Sequence, residues 1–344
     1  MKHPMSRHRN RVFMLFSLLF VLSIIISPLA VAEDNSGHET GNITIVRKAA
    51  LNGNINQQML SPRLMPQQFA SITGYLGTLP PAKNRYAIII GSNYEGCTVS
   101  SDEIPFTPDV FPLQLEYAQA DALCMQELLG YYQFNTETNV IALVGEDASH
   151  ANIMDAIEQI KEQVNGNDEV VFYYSGHGAQ LIDAEGTHQG IVTDEGDGTD
   201  VGFIWDYELA REFNRLNTHR IIFIFDSCLA GGMTELADNG RIVCMATTID
   251  GVAIEAPVNP ITYEAIEHGL FTYFLLAAFS GSIPEEYVEE FDPDGIPTVE
   301  EAFNFSSSML IFYSDYIEGI LGETLAEYWH TPVIVDLYPR DLVL

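Results

Sequence analysis

Basic residues are what this chain most lacks. Its 344 residues hold 15 Lys and Arg against 48 Asp and Glu, a formal net charge of -33. Four of the bases, Lys2, Arg7, Arg9 and Arg11, lie at the very start, so the remainder is more acidic still. From Tyr86 through Ile160 there is neither Lys nor Arg. A surface of this sign repels nucleic acid, which is excluded as a partner, and suits cations and basic peptides. Cysteine is scarce as well. Cys97, Cys124, Cys228 and Cys244 are too few to form a disulfide scaffold in a chain this long. Long apolar runs are absent after residue 32. Before it, the basic MKHPMSRHRNR precedes VFMLFSLLFVLSIIISPLAVA, with Pro28, Ala30 and Ala32 suited to cleavage before Glu33. The alternative is an uncleaved anchor, since Val12–Ala32 is long enough to span a bilayer. Either way the body is expected outside the cytoplasm, secreted or held at a membrane only by this segment.

The chain has ample apolar content, 47% of residues, for one large core. Residues 33–83 are polar and aperiodic, and read as a linker or pro-segment with one short strand at Asn42–Val46. A compact domain is expected from residue 84 to 285, and residues 286–344 as an extension packed on its core. Within the domain, strands at Tyr86–Gly91, Thr138–Val144, Glu169–Tyr174, Arg220–Phe225 and Arg241–Thr247 alternate with helices. The helices are Leu113–Tyr132, one capped by Ser149, Tyr207–Asn214 capped by Asp206, and Gly269–Phe279. Continuous apolar strands alternating with helices predict an α/β fold, a mostly parallel sheet with helices on both faces. Ligands bind such sheets at the carboxyl ends of the strands.

Two stretches put reactive side chains there. FYYSGHGAQ carries His177 between Gly176 and Gly178, and IFIFDSCLAGG carries Cys228 after Asp226 and Ser227. A lone turn histidine or a lone thiol after a buried strand is ordinary structure. Together at one sheet edge, they form a candidate base and nucleophile. The glycines let a substrate carbonyl approach the main chain.

YYSGHG, followed about 50 residues later by FDSCLAGG, resembles the caspase-like cysteine peptidases, metacaspases first, with legumain, clostripain and gingipain as relatives. The resemblance extends over about Tyr86 to Phe279, through RYAIIIGSNY, AQADALCMQELL and HGLFTYFLLAAF. It implies a three-layer sandwich around a six-stranded, mostly parallel sheet. It implies Cys228 as nucleophile, His177 as general base, and the N–H groups of Gly178 and Cys228 as oxyanion donors. Asp-Ser-Cys is the metacaspase form of the nucleophile motif. It implies that Asp226, with Asp121 of the first helix and Ser175, binds a basic side chain before the scissile bond. Asp121 lies beside the apolar stripe of its helix, where a carboxylate needs a partner or a cavity. Metacaspases often have Gly-Cys shortly before this Asp, whereas Gln119-Ala120 stand here. The resemblance thus implies an endopeptidase acting on peptides or proteins after Arg or Lys. Legumain-like cleavage after Asn and a non-catalytic calcium-binding surface module are the alternatives. With Cys228 kept free, one disulfide is possible, and Cys97–Cys124 is the expected pair unless these thiols are buried and reduced. Bases cluster at Arg47-Lys48, Arg63 and Lys83/Arg85, and self-cleavage is expected near Lys83/Arg85.

The chemistry requires no cofactor, but two acidic loops are candidate calcium ligands. Thr193–Asp200 offers Asp194, Asp197 and Asp200, without the spacing of a standard calcium loop. EFDPDGIPTVEE places Glu290, Asp292, Asp294, Gly295, Thr298 and Glu301 at positions 1, 3, 5, 6, 9 and 12 of an EF-hand-type loop. The rival reading is a glycine turn followed by a helix with the capping box Thr298-x-x-Glu301. The sequence does not indicate an oligomeric state.

Overall fold

The computed structural model describes residues 42–46, 48–50, 82–99, 111–195, 201–258, 265–321, 331–338 and 341–344. The first strands are β1 (Asn42–Val46), β2 (Ala49–Ala50), β3 (Arg85–Gly91), β4 (Thr98–Val99), β5 (Phe111–Pro112), β6 (Val140–Val144) and β7 (Glu169–Ser175). They are followed by β8 (Gly178–Ile182), β9 (Thr187–Asp194), β10 (Val201–Trp205), β11 (Arg220–Asp226), β12 (Arg241–Met245), β13 (Ile254–Val258), β14 (Ala265–Gly269) and β15 (Val333–Asp336). The helices are α1 (Ala118–Tyr131), α2 (His150–Gln163), α3 (Asp206–Phe213), α4 (Leu270–Phe279), α5 (Glu285–Phe291) and α6 (Val299–Leu321).

Six strands make the central sheet in the order β15-β12-β11-β7-β3-β6, parallel except for β15, which runs antiparallel to β12. Every residue of β7 is buried, which is why its sequence is continuously apolar rather than alternating. Val171 and Tyr173 join Ile222 and Ile224 of β11 on one face, under α1, α4 and α6. Val170, Phe172 and Tyr174 join Phe223 and Phe225 on the other, under α2 and α3. Phe172, Phe213 and Phe223 meet edge to face there. Each such buried ring contributes about 1.5–3 kcal/mol by leaving water. The α/β sandwich expected from the sequence is the fold observed.

Most element boundaries fall within one or two residues of the expectation, and the exceptions have local causes. The first helix begins at Ala118, not Leu113, because Leu113 and Leu115 donate backbone bonds to Cys97 and Asn93 and stay extended. Ser149 caps α2 as expected, its hydroxyl accepting the Asn152 N–H at 3.3 Å. Asp206 does not cap α3 from outside: it is the first helical residue, and Glu208 accepts the Trp205 N–H instead. The C-terminal residues pack on the core through β15 and through α6, whose Ser306 hydroxyl donates to the Phe271 carbonyl of α4. Among the described residues no helix is long and apolar enough to cross a membrane. The proposed export segment, residues 1–32, lies outside them.

A second sheet, β1-β8-β9-β10, grows from the β7 end of the central one. The expected strand at Asn42–Val46 is β1, and it pairs antiparallel with β8. Two residues later β2 pairs in parallel with β13. Lys48 lies between these two strands.

Candidate active site

Parallel pairing sets Ser175 of β7 directly against Asp226 of β11. The chains then leave the sheet side by side, so His177 and Cys228 each follow that register by two residues. The two strand ends join α1 and the start of α4 around one buried charge cluster. Lys48 is its centre, with a side chain fully removed from solvent. Its ammonium lies 2.7 Å from Asp226 Oδ1 and 3.6 Å from Asp121 Oδ2, and donates to Ser175 Oγ at 3.1 Å. All three substrate-binding candidates therefore converge on one cation, and that cation comes from the chain itself.

The rest of the cluster fixes the carboxylates. Asp226 Oδ2 accepts from the Thr272 N–H at 3.0 Å and the Thr272 hydroxyl at 2.7 Å, in the first turn of α4, where the helix dipole favours an anion. The Ser175 hydroxyl donates to Asp121 Oδ2 at 2.7 Å, and His268 Nδ1 meets Asp121 Oδ1 at 2.8 Å. Burial opposes the His268 imidazolium, but hydrogen bonding to Asp121 outweighs it and lifts the pKa to about 10. Two cations thus balance two carboxylates. Burial likewise works against the Lys48 ammonium, and Asp226 and Asp121 more than reverse it. Gly269 is where the ammonium passes. A Cβ there would collide with Asp226 Oδ2 and the Lys48 ammonium.

His177 is held as a neutral base. Its Nε2 lies 2.6 Å from the Leu113 carbonyl oxygen, which can only accept, so Nε2 carries the proton. Its Nδ1 is left as the acceptor and takes the Lys48 backbone N–H at 3.0 Å. Tyr94 stacks on the ring at 4.8 Å, and the Tyr94 hydroxyl accepts the His177 N–H at 3.1 Å. Cys228 accepts the Ala253 N–H on Sγ at 3.2 Å, and burial pushes its thiol up to about 12. In this arrangement it is a protonated thiol rather than a thiolate. Leu229, the next residue, has a φ of 58°, a left-handed conformation that is strained for a branched side chain. Gly178 runs so close to Cys228 that a Cβ on it would overlap the Cys228 carbonyl oxygen.

Sequence reasoning missed Lys48 as a site residue, along with His268, Gly269, Thr272 and the Leu113 carbonyl. Signals existed for some of these. Arg47-Lys48 was a recognised cluster of bases, and HGLF opens the segment that resembles the family. The expected self-cleavage site is not what the structure brings to the centre. The Lys83 N–H donates to Asn167 O, and Arg85 begins β3 with its side chain on Glu169 and the Tyr132 carbonyl, at the amino edge of the sheet. The Cys97–Cys124 disulfide is not formed. All four cysteines are thiols, with Cys97 on Asp194 and Cys124 3.8 Å from His268 Nε2.

The candidate metal ligands separate. Asp194 is buried and accepts from the Ser92 hydroxyl at 2.9 Å; Asp197 and Asp200 lie outside the described residues. A set not foreseen is His188, Asp206 and Glu235, whose ligating atoms lie within 4.8 Å of one another. These residues are too far apart in sequence to signal a cluster. A ring nitrogen among its donors fits calcium poorly, since calcium takes oxygen ligands. Asp292 and Asp294 lie in the turn between α5 and α6, and Glu301 in the first turn of α6. There Glu301 Oε2 accepts from the Thr298 N–H and hydroxyl, and Thr298 Oγ1 accepts the Glu301 N–H, so the capping box is formed.

Residues 85–237 match the family model described as metacaspase, peptidase C14 domain. That span contains Asp121, Ser175, His177, Gly178, Asp226 and Cys228, but not Lys48, His268, Gly269 or the 290–301 turn. Metacaspase-1 of Schizosaccharomyces pombe is 26% identical over 171 residues, 44% of this chain and 35% of that protein. Metacaspase-1 of Ajellomyces capsulatus is 35% identical over 98 residues, 25% of this chain and 26% of that protein. The chain thus spans about a third or less of the length of these relatives. A crystal structure from Geobacter sulfurreducens, a structural-genomics target, aligns with a TM-score of 0.49 at 14% identity, covering 76% of this chain and 99% of that one.

Proposed function

We propose that this chain, whose residues 85–237 match the metacaspase, peptidase C14 domain model, is an exported caspase-like cysteine endopeptidase that cuts after Arg or Lys. The observation that carries the specificity is Lys48 on Asp226, Asp121 and Ser175. Two buried carboxylates around a passage kept open by Gly269 suit an elongated cation. A neutral asparagine amide would leave Asp226 without a cation, since His268 answers Asp121 alone. In the reaction, His177 Nδ1 takes the Cys228 proton, and the thiolate attacks the scissile carbonyl. The carbonyl oxygen, now negative, is held by the N–H groups of Gly178 and Cys228. The proton on Nδ1 passes to the leaving amine, and water then hydrolyses the acyl-enzyme.

The same contacts support a latent form. For a cut after Lys48, the leaving nitrogen would be that of Ala49. The nitrogen on His177 Nδ1 is that of Lys48 itself. With the Lys48 side chain in the pocket and its own amide on the base, pocket and chemistry are one residue out of step. Residues 42–50 then act as an internal inhibitor rather than a substrate.

The test is cleavage of fluorogenic Arg, Lys, Asn and Asp peptides by the purified full chain carrying Lys48→Ala, which empties the pocket, and by the same chain with Cys228→Ala added. The reading expects Arg and Lys peptides to be cut, and the double variant to be inactive. Preferred cleavage of the Asn peptide supports the legumain-like alternative. Cleavage that survives in Cys228→Ala removes the assigned nucleophile. If no peptide is cut, the fold serves as a binding module.

A further inference from the structure

The turn from α5 to α6 lies beyond the span matched by the peptidase family, and nothing in the proposed chemistry uses it. Its twelve residues, Glu290 to Glu301, carry oxygen donors at the positions of an EF-hand loop. The backbone follows the same plan. One helix ends at Phe291, Gly295 at position 6 has a φ of 76°, and the exit helix starts at Val299, position 10. Only glycine adopts that φ without strain, which is why the calcium loop requires it there.

The second observation is Asp292, at position 3. It is only 6% exposed, and its Oδ1 is buried with no hydrogen-bond partner. A buried carboxylate oxygen with no donor on it is costly unless a cation reaches it. We propose that residues 290–301 are a calcium site that uses the side chains of Glu290, Asp292, Asp294, Thr298 and Glu301 and the Ile296 carbonyl.

The capping box is compatible with this. It engages Glu301 through Oε2, and Thr298 at position 9 both caps the exit helix and faces the loop. Pro297 at position 8 lacks the N–H with which EF-hand loops pair. Here the chain's own C-terminus supplies the pairing one residue later. Thr298 bridges Val343, and the Val299 N–H donates to Leu342 O at 2.7 Å. A single loop is thereby closed without a second EF-hand.

Calorimetric titration of the chelator-stripped full chain with calcium chloride tests the site. A binding event is expected that weakens roughly tenfold or more in Asp294→Ser and in Asp292→Asn and persists in Asp206→Asn. Asp294 is exposed, so its variant should keep the fold. As a second readout, calcium should raise the melting temperature of the parent. Asp292→Asn should melt no lower than the parent without calcium, because it removes a charge that burial disfavours. The proposal is overturned if calcium does not bind, if the Asp294→Ser isotherm matches the parent, or if only Asp206→Asn abolishes binding.

Discussion

Replacing Lys48 by alanine should convert a latent protein into an active one. Its ammonium is fully buried on Asp226 and Ser175, and the segment is otherwise held by the Lys48 N–H on His177, two pairs in β2 and five in β1, where Val46 lies opposite Gly178. Removing one partner of a buried ion pair costs about 3–5 kcal/mol. The central sheet does not depend on β1 or β2, so that cost should appear as release of the segment rather than global unfolding. At about 1.4 kcal/mol per decade, the occupied form should lose a factor on the order of 10² to 10³. Two assays read this. The initial rate on an Arg peptide should rise without a lag, and Cys228, with the Lys48 N–H gone from His177 Nδ1, should react faster with iodoacetamide than in the parent, where burial pushes the thiol up to about 12. An arginine ester should raise the melting temperature of Lys48→Ala by refilling the pocket, and Lys48→Arg should stay latent. If Lys48→Ala is labelled and turns over no faster than the parent but melts lower, the segment is a structural strut, and the latency argument fails.

Other substitutions probe the same geometry. Gly269→Ala places a methyl group against Asp226 Oδ2 and the passing ammonium, so kcat/KM for Arg peptides in the Lys48→Ala background should fall roughly 100-fold or more with circular dichroism unchanged. Gly178→Ala should abolish turnover, because its Cβ overlaps the Cys228 carbonyl oxygen; the measurement is activity alongside a melting curve. His268 has its pKa raised from 6.5 to about 10, so its stabilising contribution is complete below pH 6.5 and is lost as pH rises through 10. Chemical denaturation between pH 6 and 11 should show that loss in the parent and a flatter profile in His268→Gln.

Much of this was legible because the central sheet is buried on both faces. Continuous apolar runs at Glu169–Ser175 and Arg220–Asp226 mark parallel strands, and small residues after each mark where chemistry can sit. Asp121 was legible as a carboxylate beside an apolar stripe. Its partners were not, because His268, Gly269 and Lys48 reach it from distant parts of the chain. Lys48 was hidden for a further reason. Residues 33–83 look like a linker by composition, and the two short strands that seat Lys48 gain their stability from edges of sheets built elsewhere. The first helix was read too long for the same reason. Leu113 and Leu115 are apolar residues next to the helical stripe, but tertiary bonds to Cys97 and Asn93 hold them extended.

The central claim is that Asp226 reads a basic side chain for Cys228 to act upon. Its most direct test is kcat/KM for matched Arg and Asn peptides in Lys48→Ala, with and without Asp226→Asn. The account predicts that Arg is preferred, and that Asp226→Asn reduces Arg cleavage by about 10² to 10³-fold while leaving the rate on Asn little changed. Equal Arg cleavage with and without the Asp226 carboxylate would contradict it.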